Sequence, residues 1–404
     1  MKEMYTPMTT AHKSRVLDMT QGDPFRLVLQ FSMPLFCSNL LQQLYNLTDT
    51  ALAGHLLGAA ALAQIGATAA LYGLIMNFAF GMNNGLALTV SRYFGAGDEK
   101  GMRRAVGWMV TLSVGTSLVL TATSLLGRGA LLTLLQVPAE TWDGAAAYLT
   151  VILLGIPLTM LYNMEAALLR AVGNSITPLL FLLFSTVLNI GLDAAFMGPL
   201  GLGVRGAAIA TVLAQGISAL LGVWYILRSY PELRFRPAQL KETTRHAVAH
   251  MFWAGLSMGL MSAIYNLGSV ALQSSINALG SAYIAAQTAA RRLAELYFIP
   301  GGALGISVAT FSSQNLGAGK RSRIWQSVKA ALVILRNMLQ GIQHTIEPLL
   351  ASALELSGKV IFAVWLVPVW GNRAVCFCEP TTWVICFVFI LFAAWRCRGD
   401  LRDA

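Results

Sequence analysis

Charged residues in this chain come in groups, and the uncharged stretches between the groups have bilayer length. They run over 27–48, 50–91, 105–127, 144–164, 171–192, 206–227, 246–290 and 296–319. A helix needs roughly 20 apolar residues to cross the hydrocarbon. Trimming the longer stretches at loops such as His55-Leu56-Leu57-Gly58 predicts ten spans. They lie near 27–52, 59–91, 103–127, 145–168, 176–197, 205–227, 248–275, 282–311, 346–368 and 373–395. The runs are continuous rather than alternating, so an outer-membrane barrel is excluded and an all-α polytopic membrane protein is predicted.

Composition agrees. Of 404 residues only 11 % are charged, 28 Lys and Arg against 18 Asp and Glu, while 56 % are apolar. Soluble chains use about twice that share of charge. Soluble, disordered and fibrous classes are therefore excluded. A net charge of +10 would suit nucleic acid in a soluble domain, but in a membrane protein the position of the charges sets orientation. With the N-terminus inside, the inner segments hold 22 of the 28 basic residues. The outer loops keep Arg128, Arg205 and Arg373, and Arg291, Arg292 and Lys359 fall within spans. Both termini are thus expected in the cytoplasm, with the protein in the plasma membrane and no nucleic-acid partner. The first 24 residues are polar and show no apolar core before a cleavage site, so no removable signal peptide is expected.

The chain also resembles itself. Tyr45-Asn46-Leu47, Leu57-Gly58, Ala63-Gln64 and Phe94-Gly95-Ala96-Gly97 recur as Tyr265-Asn266-Leu267, Leu279-Gly280, Ala286-Gln287 and Leu316-Gly317-Ala318-Gly319. The offset stays between 220 and 223. A weaker pair comes later, Leu169-Arg170 with Pro178-Leu179-Leu180 against Leu335-Arg336 with Pro348-Leu349-Leu350. Such repeats predict two bundles flanking a central pathway, here a parallel repeat about an axis along the membrane normal. The expected organisation is a cytoplasmic segment 1–24, a six-helix N-lobe 25–228, a linker 229–246, a shortened C-lobe 247–395 and a tail 396–404. The second half lacks 56 residues between Gly319 and Leu335, two spans' worth, which preserves the sidedness of the last two spans. The remnant at 324–343 holds only Ala330 to Leu335 as an apolar run between Lys329 and Arg336. It reads as an interfacial amphipathic helix or the fused stubs of two spans.

The run from Leu40 to Thr50, Leu-Leu-Gln-Gln-Leu-Tyr-Asn-Leu-Thr-Asp-Thr, resembles the first span of the multidrug and toxic compound extrusion (MATE) family. The paired Gly-Ala-Gly loops resemble that family's two equivalent cytoplasmic loops. Arg170-Ala171-Val172-Gly173-Asn174-Ser175, followed by Pro178, Asn189 and Asp193, is similar to its fourth-to-fifth span junction. The likeness covers roughly residues 18–335 and resumes to the C-terminus. It implies twelve helices in two six-helix lobes and antiport of organic cations or amphipathic compounds against sodium ions or protons. This chain departs from it by lacking most of the ninth and tenth helices.

Carboxyl groups inside hydrocarbon cost about 3 kcal/mol to insert and call for a reason. Asp49 falls in the first span and Asp193 in the fifth, with Asn189 one helical turn before Asp193 and on its face. Thr211 follows in the sixth span. Two carboxylates, an amide and a hydroxyl are hard oxygen ligands suited to sodium. Neighbouring carboxylates also resist ionising together, so the pair could instead share a proton. Asp49, Asn189, Asp193 and Thr211 match the N-lobe cation site that the resemblance implies. The bland alternative is that each caps a kink or bonds a neighbouring helix. Pro34 removes a backbone donor and could hinge the first span.

Tyr45, Met76, Asn77, Met82 and Tyr265 are candidate cavity liners, Met being adaptable in shape. Glu295 either faces the cavity, attracting cations, or pairs with Arg291. Glu355 and Lys359 have the spacing of a helical ion pair. Glu379, before Pro380, is a third candidate intramembrane acid. No phosphate-binding loop is present, so ATP is not expected to drive the protein. The five histidines and five cysteines have no metal or disulfide spacing. No enzyme activity and no cofactor beyond the coupling ion, H+ or Na+, are expected. The predicted protein is a monomeric antiporter of small organic cations or amphipathic compounds. Alternatives are an internally truncated, non-transporting paralogue, or a lipid-linked precursor flippase of the same architecture. The flippase would want a basic cavity, and the candidates here are acidic.

Overall fold

A computed structural model of the chain describes residues 16–135, 137–277, 281–330 and 346–396. Among the described residues the regular elements are helical. They are α1 (Pro24–Leu57), α2 (Ala59–Ala96), α3 (Glu99–Leu126), α4 (Arg128–Leu134), α5 (Ala139–Ala171), α6 (Ile176–Met197) and α7 (Gly203–Ser229). After two short turns in the linker come α8 (Arg245–Asn277), α9 (Ser281–Gly317), α10 (Arg321–Ala330), α11 (Ile346–Ile361) and α12 (Asn372–Arg396). α11 continues through a π-helical stretch, Phe362–Leu366, to Trp370.

Local chemistry sets several boundaries. Asp23 accepts a hydrogen bond from the Arg26 N–H at 2.8 Å, and Pro24 needs no donor at the first helical position, so α1 starts there. Asp98 caps α3 in the same way through the Gly101 N–H at 2.9 Å. Gly97 ends α2 in the left-handed region at φ 69°, and Gly319 closes the second Gly-Ala-Gly loop at φ 73°. Any other residue would be strained there.

Seven described helices are long and apolar enough to cross a membrane, or eight if α2, bent by 46° between Ala69 and Leu71, counts as one span. The chain is thus an all-α, multi-pass membrane protein. Two predicted spans fall outside that set. α1 has 34 residues but carries Gln30, Ser32, Ser38, Asn39, Gln42, Gln43 and Asp49. For α9, the side chains of residues 281–298 lie outside the described residues. α10 covers the start of the remnant at 324–343, with Ile324 turned inward and buried; residues 331–343 lie outside the described set.

α2 is the hub of the packing, lying against α3, α5, α8 and α9, while α1 lies against α6 and α9. Phe31 and Phe311 meet in a cluster that joins α1, α9 and α12. Met82, Met109 and Leu169 anchor a second, where α2, α3 and α5 converge. Large apolar side chains such as Val187, Trp224, Trp365, Val384 and Phe392 face outward. Exposed apolar surface on this scale fits a lipid-facing perimeter.

α1 passes through Pro34 as one continuous helix, and the Ser38 hydroxyl donates to the Pro34 carbonyl at 2.8 Å. The hydroxyl bonds back to the carbonyl one turn earlier in its own helix, while the carbonyl that lacks the proline's donor is that of Gln30.

Candidate functional site

α1, α6 and α7 bring the four polar candidates together inside the first half of the chain. Asp193 and Asn189 share one face of α6, and both are buried, Asp193 completely. Asp49, half-buried on α1, reaches the Asp193 carboxyl, which also meets Asn189. Thr211 comes in from α7, and its hydroxyl lies 3.4 Å from the Tyr45 hydroxyl. Met197, Val204, Ala207 and Ala208 close the apolar side where α6 and α7 meet.

Carboxyl oxygens dominate the site, and the Asn189 amide supplies its N–H donors. Asp49 Oδ1, both Asp193 oxygens and both polar atoms of Asn189 have no hydrogen-bond partner. Two carboxylates cannot bond each other without a proton between them, because neither has a hydrogen to give. Buried acceptors left without donors are costly. A proton or a small hard cation would satisfy them, and the oxygen-rich donor set fits sodium.

Three tyrosines that the sequence did not single out as a group surround the acids. Tyr45, Tyr72 and Tyr148 lie within electrostatic range of Asp49, and Tyr45 and Tyr148 also of Asp193. Tyr72 reaches Gln215, which accepts from the Thr159 hydroxyl at 2.6 Å. A cavity of about 10 Å³, room for no more than one water, lies beside them, lined by Tyr72, Met76, Thr159 and Thr211 among others.

The remaining candidates separate. Met76 lines that cavity, whereas Met82 is packed in the α2–α3–α5 core. Asn77 is exposed and donates to the Gly73 carbonyl of its own helix at 2.8 Å. Tyr265 and Glu295 lie on α8 and α9, but their side chains are outside the described residues. Glu379 is likewise undescribed as a side chain.

Glu165 on α5 is a further buried acid, and no candidate set from the sequence included it. Its side chain is 1 % exposed, and neither carboxyl oxygen has a hydrogen-bond partner. It closes the uncharged stretch 144–164, so it reads as a boundary charge although it lies within the fourth span. Arg170, one turn and a half further on, is also buried; its guanidinium donates to Asn84 Oδ1 at 3.2 Å and lies over the Phe80 ring. The junction behind it is structural: Asn174 caps α6 by accepting from the Thr177 N–H at 3.0 Å, and its amide donates to the Tyr230 hydroxyl at 2.8 Å.

A multi-pass helical bundle with two acids meeting in its interior suits a membrane transporter. Residues 34–195 and 257–338 match the MatE family. "Probable multidrug resistance protein YpnP" of Bacillus subtilis is 31 % identical over 310 residues, 77 % of this chain and 69 % of that protein. "Probable multidrug resistance protein YoeA", also of Bacillus subtilis, is 26 % identical over 343 residues, 82 % of this chain and 72 % of that protein. A solved MOP superfamily transporter from Pyrococcus furiosus shares the fold with a TM-score of 0.86 at 19 % identity, covering 98 % of this chain and 100 % of that one. The chain belongs to the MatE family of multidrug efflux transporters, and its described residues hold seven or eight helices able to span a membrane. It is a transporter and not an enzyme.

Proposed function

We propose that the protein is an antiporter that exports organic cations or amphipathic compounds across the plasma membrane, driven by inward movement of H+ or Na+. Asp49 and Asp193 are its coupling pair, with Asn189 and Thr211 as further ligands. The observation that carries this reading is the buried Asp193 carboxyl next to a second carboxyl, that of Asp49. An ion biases an equilibrium only through different affinity for its two states. A site on α1, α6 and α7 would do so if α1 shifts relative to the other two, opening or closing the oxygen cluster. The lobes are residues 25–228 and 247–395, joined by the linker 229–246, with both termini cytoplasmic. The protein works as a monomer, and the C-lobe is the shortened one. Names of relatives that carry multidrug resistance or export support the substrate class.

Dye efflux from proteoliposomes, with sodium and proton gradients imposed separately, tests the reading. Efflux under one of the gradients, lost in both Asp49→Asn and Asp193→Asn, is the expected result. Efflux with unaltered ion dependence in both variants would overturn the site assignment, and no efflux under either gradient would favour a non-transporting paralogue.

A further inference from the structure

The inward face of α11 repeats that of α6 at a shift of 170 positions. Pro178, Asn189, Asp193 and Met197 are buried on α6, and Pro348, Lys359, Ala363 and Val367 are buried at the corresponding positions of α11 and its continuation. α7 and α12 correspond at a shift of 171, which pairs Thr211 with Thr382 and Val204 with Val375, all buried. The packing corresponds as well, since α6 lies against α1 and α7 while α11 lies against α8 and α12. Mapped this way, the counterpart of the candidate cation site holds Lys359 in the place of Asn189 and Thr382 in the place of Thr211.

Lys359 is not alone there. Its ammonium Nζ is 3.0 Å from Glu355 Oε1, one helical turn away on α11, and the two side chains are 1 % and 8 % exposed. The neighbouring Gly358 lets α12 come close, because a Cβ at that position would meet Thr382 Cγ2 at 2.5 Å. An ammonium thus sits against a buried carboxylate at the position that corresponds to Asn189 in the first half.

We infer that the Lys359 ammonium is a built-in cation occupying a latent monovalent-cation site of the second half, whose anionic ligand is the Glu355 carboxylate. The carboxylate there is neutralised permanently, so this half takes up no ion during a transport cycle. Removing the ammonium uncovers the site. The correspondence between halves rests on reading Asp49 and Asp193 as an ion site, but the test measures binding in the second half alone.

Thermal unfolding of the purified full-length protein in detergent, at pH 8.5, provides the test. Sodium is titrated against choline at constant ionic strength, and every variant carries Asp193→Asn so that the first-half site does not contribute. Lys359→Asn is expected to gain a saturable, sodium-dependent rise in Tm of about 3 °C or more. The parent and the Lys359→Asn/Glu355→Gln variant should lack it. Lys359→Ala, which leaves a hole of ammonium size, should instead be stabilised by methylammonium. No cation dependence in either variant, or a dependence that survives Glu355→Gln, overturns the inference. So does failure to recover either variant folded in any of these salts, because the ammonium would then not be replaceable by an exchangeable ion. Loss of the proposed first-half function would show separately, as unaltered efflux in Asp193→Asn.

Discussion

Gly95 on α2 lies against the Gln314 carbonyl on α9 so closely that no Cβ fits between them. Gly317 on α9 does the same to the Arg92 carbonyl on α2. The contacts are reciprocal at a shift of 222 residues, the arrangement of a two-fold related interface. Both glycines belong to the Gly-Ala-Gly loops, on the side where the basic residues gather. Around them the Ser313 hydroxyl donates to the Leu88 carbonyl at 2.6 Å, and the Gln314 amide donates to the Ala171 carbonyl at 3.0 Å. The two halves are clasped at this end.

Gly95→Leu should loosen the clasp. Overpacking costs about 1–3 kcal/mol, and each 1.4 kcal/mol is about a tenfold change in an equilibrium. In a background without native cysteines, Ser91→Cys reports the change, since Ser91 is 1 % exposed and bonds the Thr310 carbonyl across the clasp. Adding Gly95→Leu should raise its labelling by an impermeant thiol reagent about tenfold in inside-out vesicles. An unaltered labelling rate would mean that the glycine contact does not hold the halves together.

The four polar candidates were legible because polar residues in apolar spans stand out singly: Asp49, Asn189, Asp193 and Thr211 are each conspicuous against their neighbours. So were the two Gly-Ala-Gly loops, which recur as words. The side of each helix that faces a given neighbour could not be read. Met76 and Met82 lie on one helix and are chemically alike, yet one borders a cavity and the other a core, because α5 and α3 cover different faces of α2. Tyr72 and Tyr148 look like ordinary aromatic packing until α1 delivers Asp49 beside them. Glu165 was hidden by its position at the edge of an uncharged run, where the eye takes it for a loop charge.

Thr211→Val tests the hydroxyl as a ligand. The substitution keeps the shape and removes the oxygen, and it also strips Tyr45 of its 3.4 Å neighbour. The loss of one hydroxyl interaction is worth about 0.5–1.5 kcal/mol. The ion concentration for half-maximal efflux should therefore rise several-fold up to about tenfold, and Thr211→Ser should restore it. An effect on maximal rate alone, with the half-maximal concentration unaltered, would remove Thr211 from the ligand set.

Asn174 should matter for stability and not for coupling. Asn174→Ala removes the cap of α6 and the bond to the Tyr230 hydroxyl together. Losing a cap costs about 1 kcal/mol, and losing the bond to the Tyr230 hydroxyl adds about 0.5–1.5 kcal/mol. In thermal unfolding, Asn174→Ala should lower Tm by more than Tyr230→Phe does. The double variant should be no worse than Asn174→Ala, since the Tyr230 bond is lost already. Additive losses would show that the Tyr230 hydroxyl contributes little through Asn174.

Glu165 and Gly222 face each other between α5 and α7, and a Cβ on Gly222 would collide with the Glu165 carboxyl. Glycine is what makes room for the acid, so Gly222→Ala should destabilise the protein by about 1–3 kcal/mol. The penalty should shrink when Glu165→Ala empties the space, because nearby sites that share a clash are not additive. Glu165→Gln separates shape from charge. A buried carboxylate without a hydrogen-bond partner is costly, while its neutral isostere carries no such charge penalty. Tm should accordingly hold or rise in Glu165→Gln, with the Gly222→Ala penalty retained. A fall of several degrees in Glu165→Gln would mean that the carboxyl makes interactions in the folded protein that the amide cannot replace.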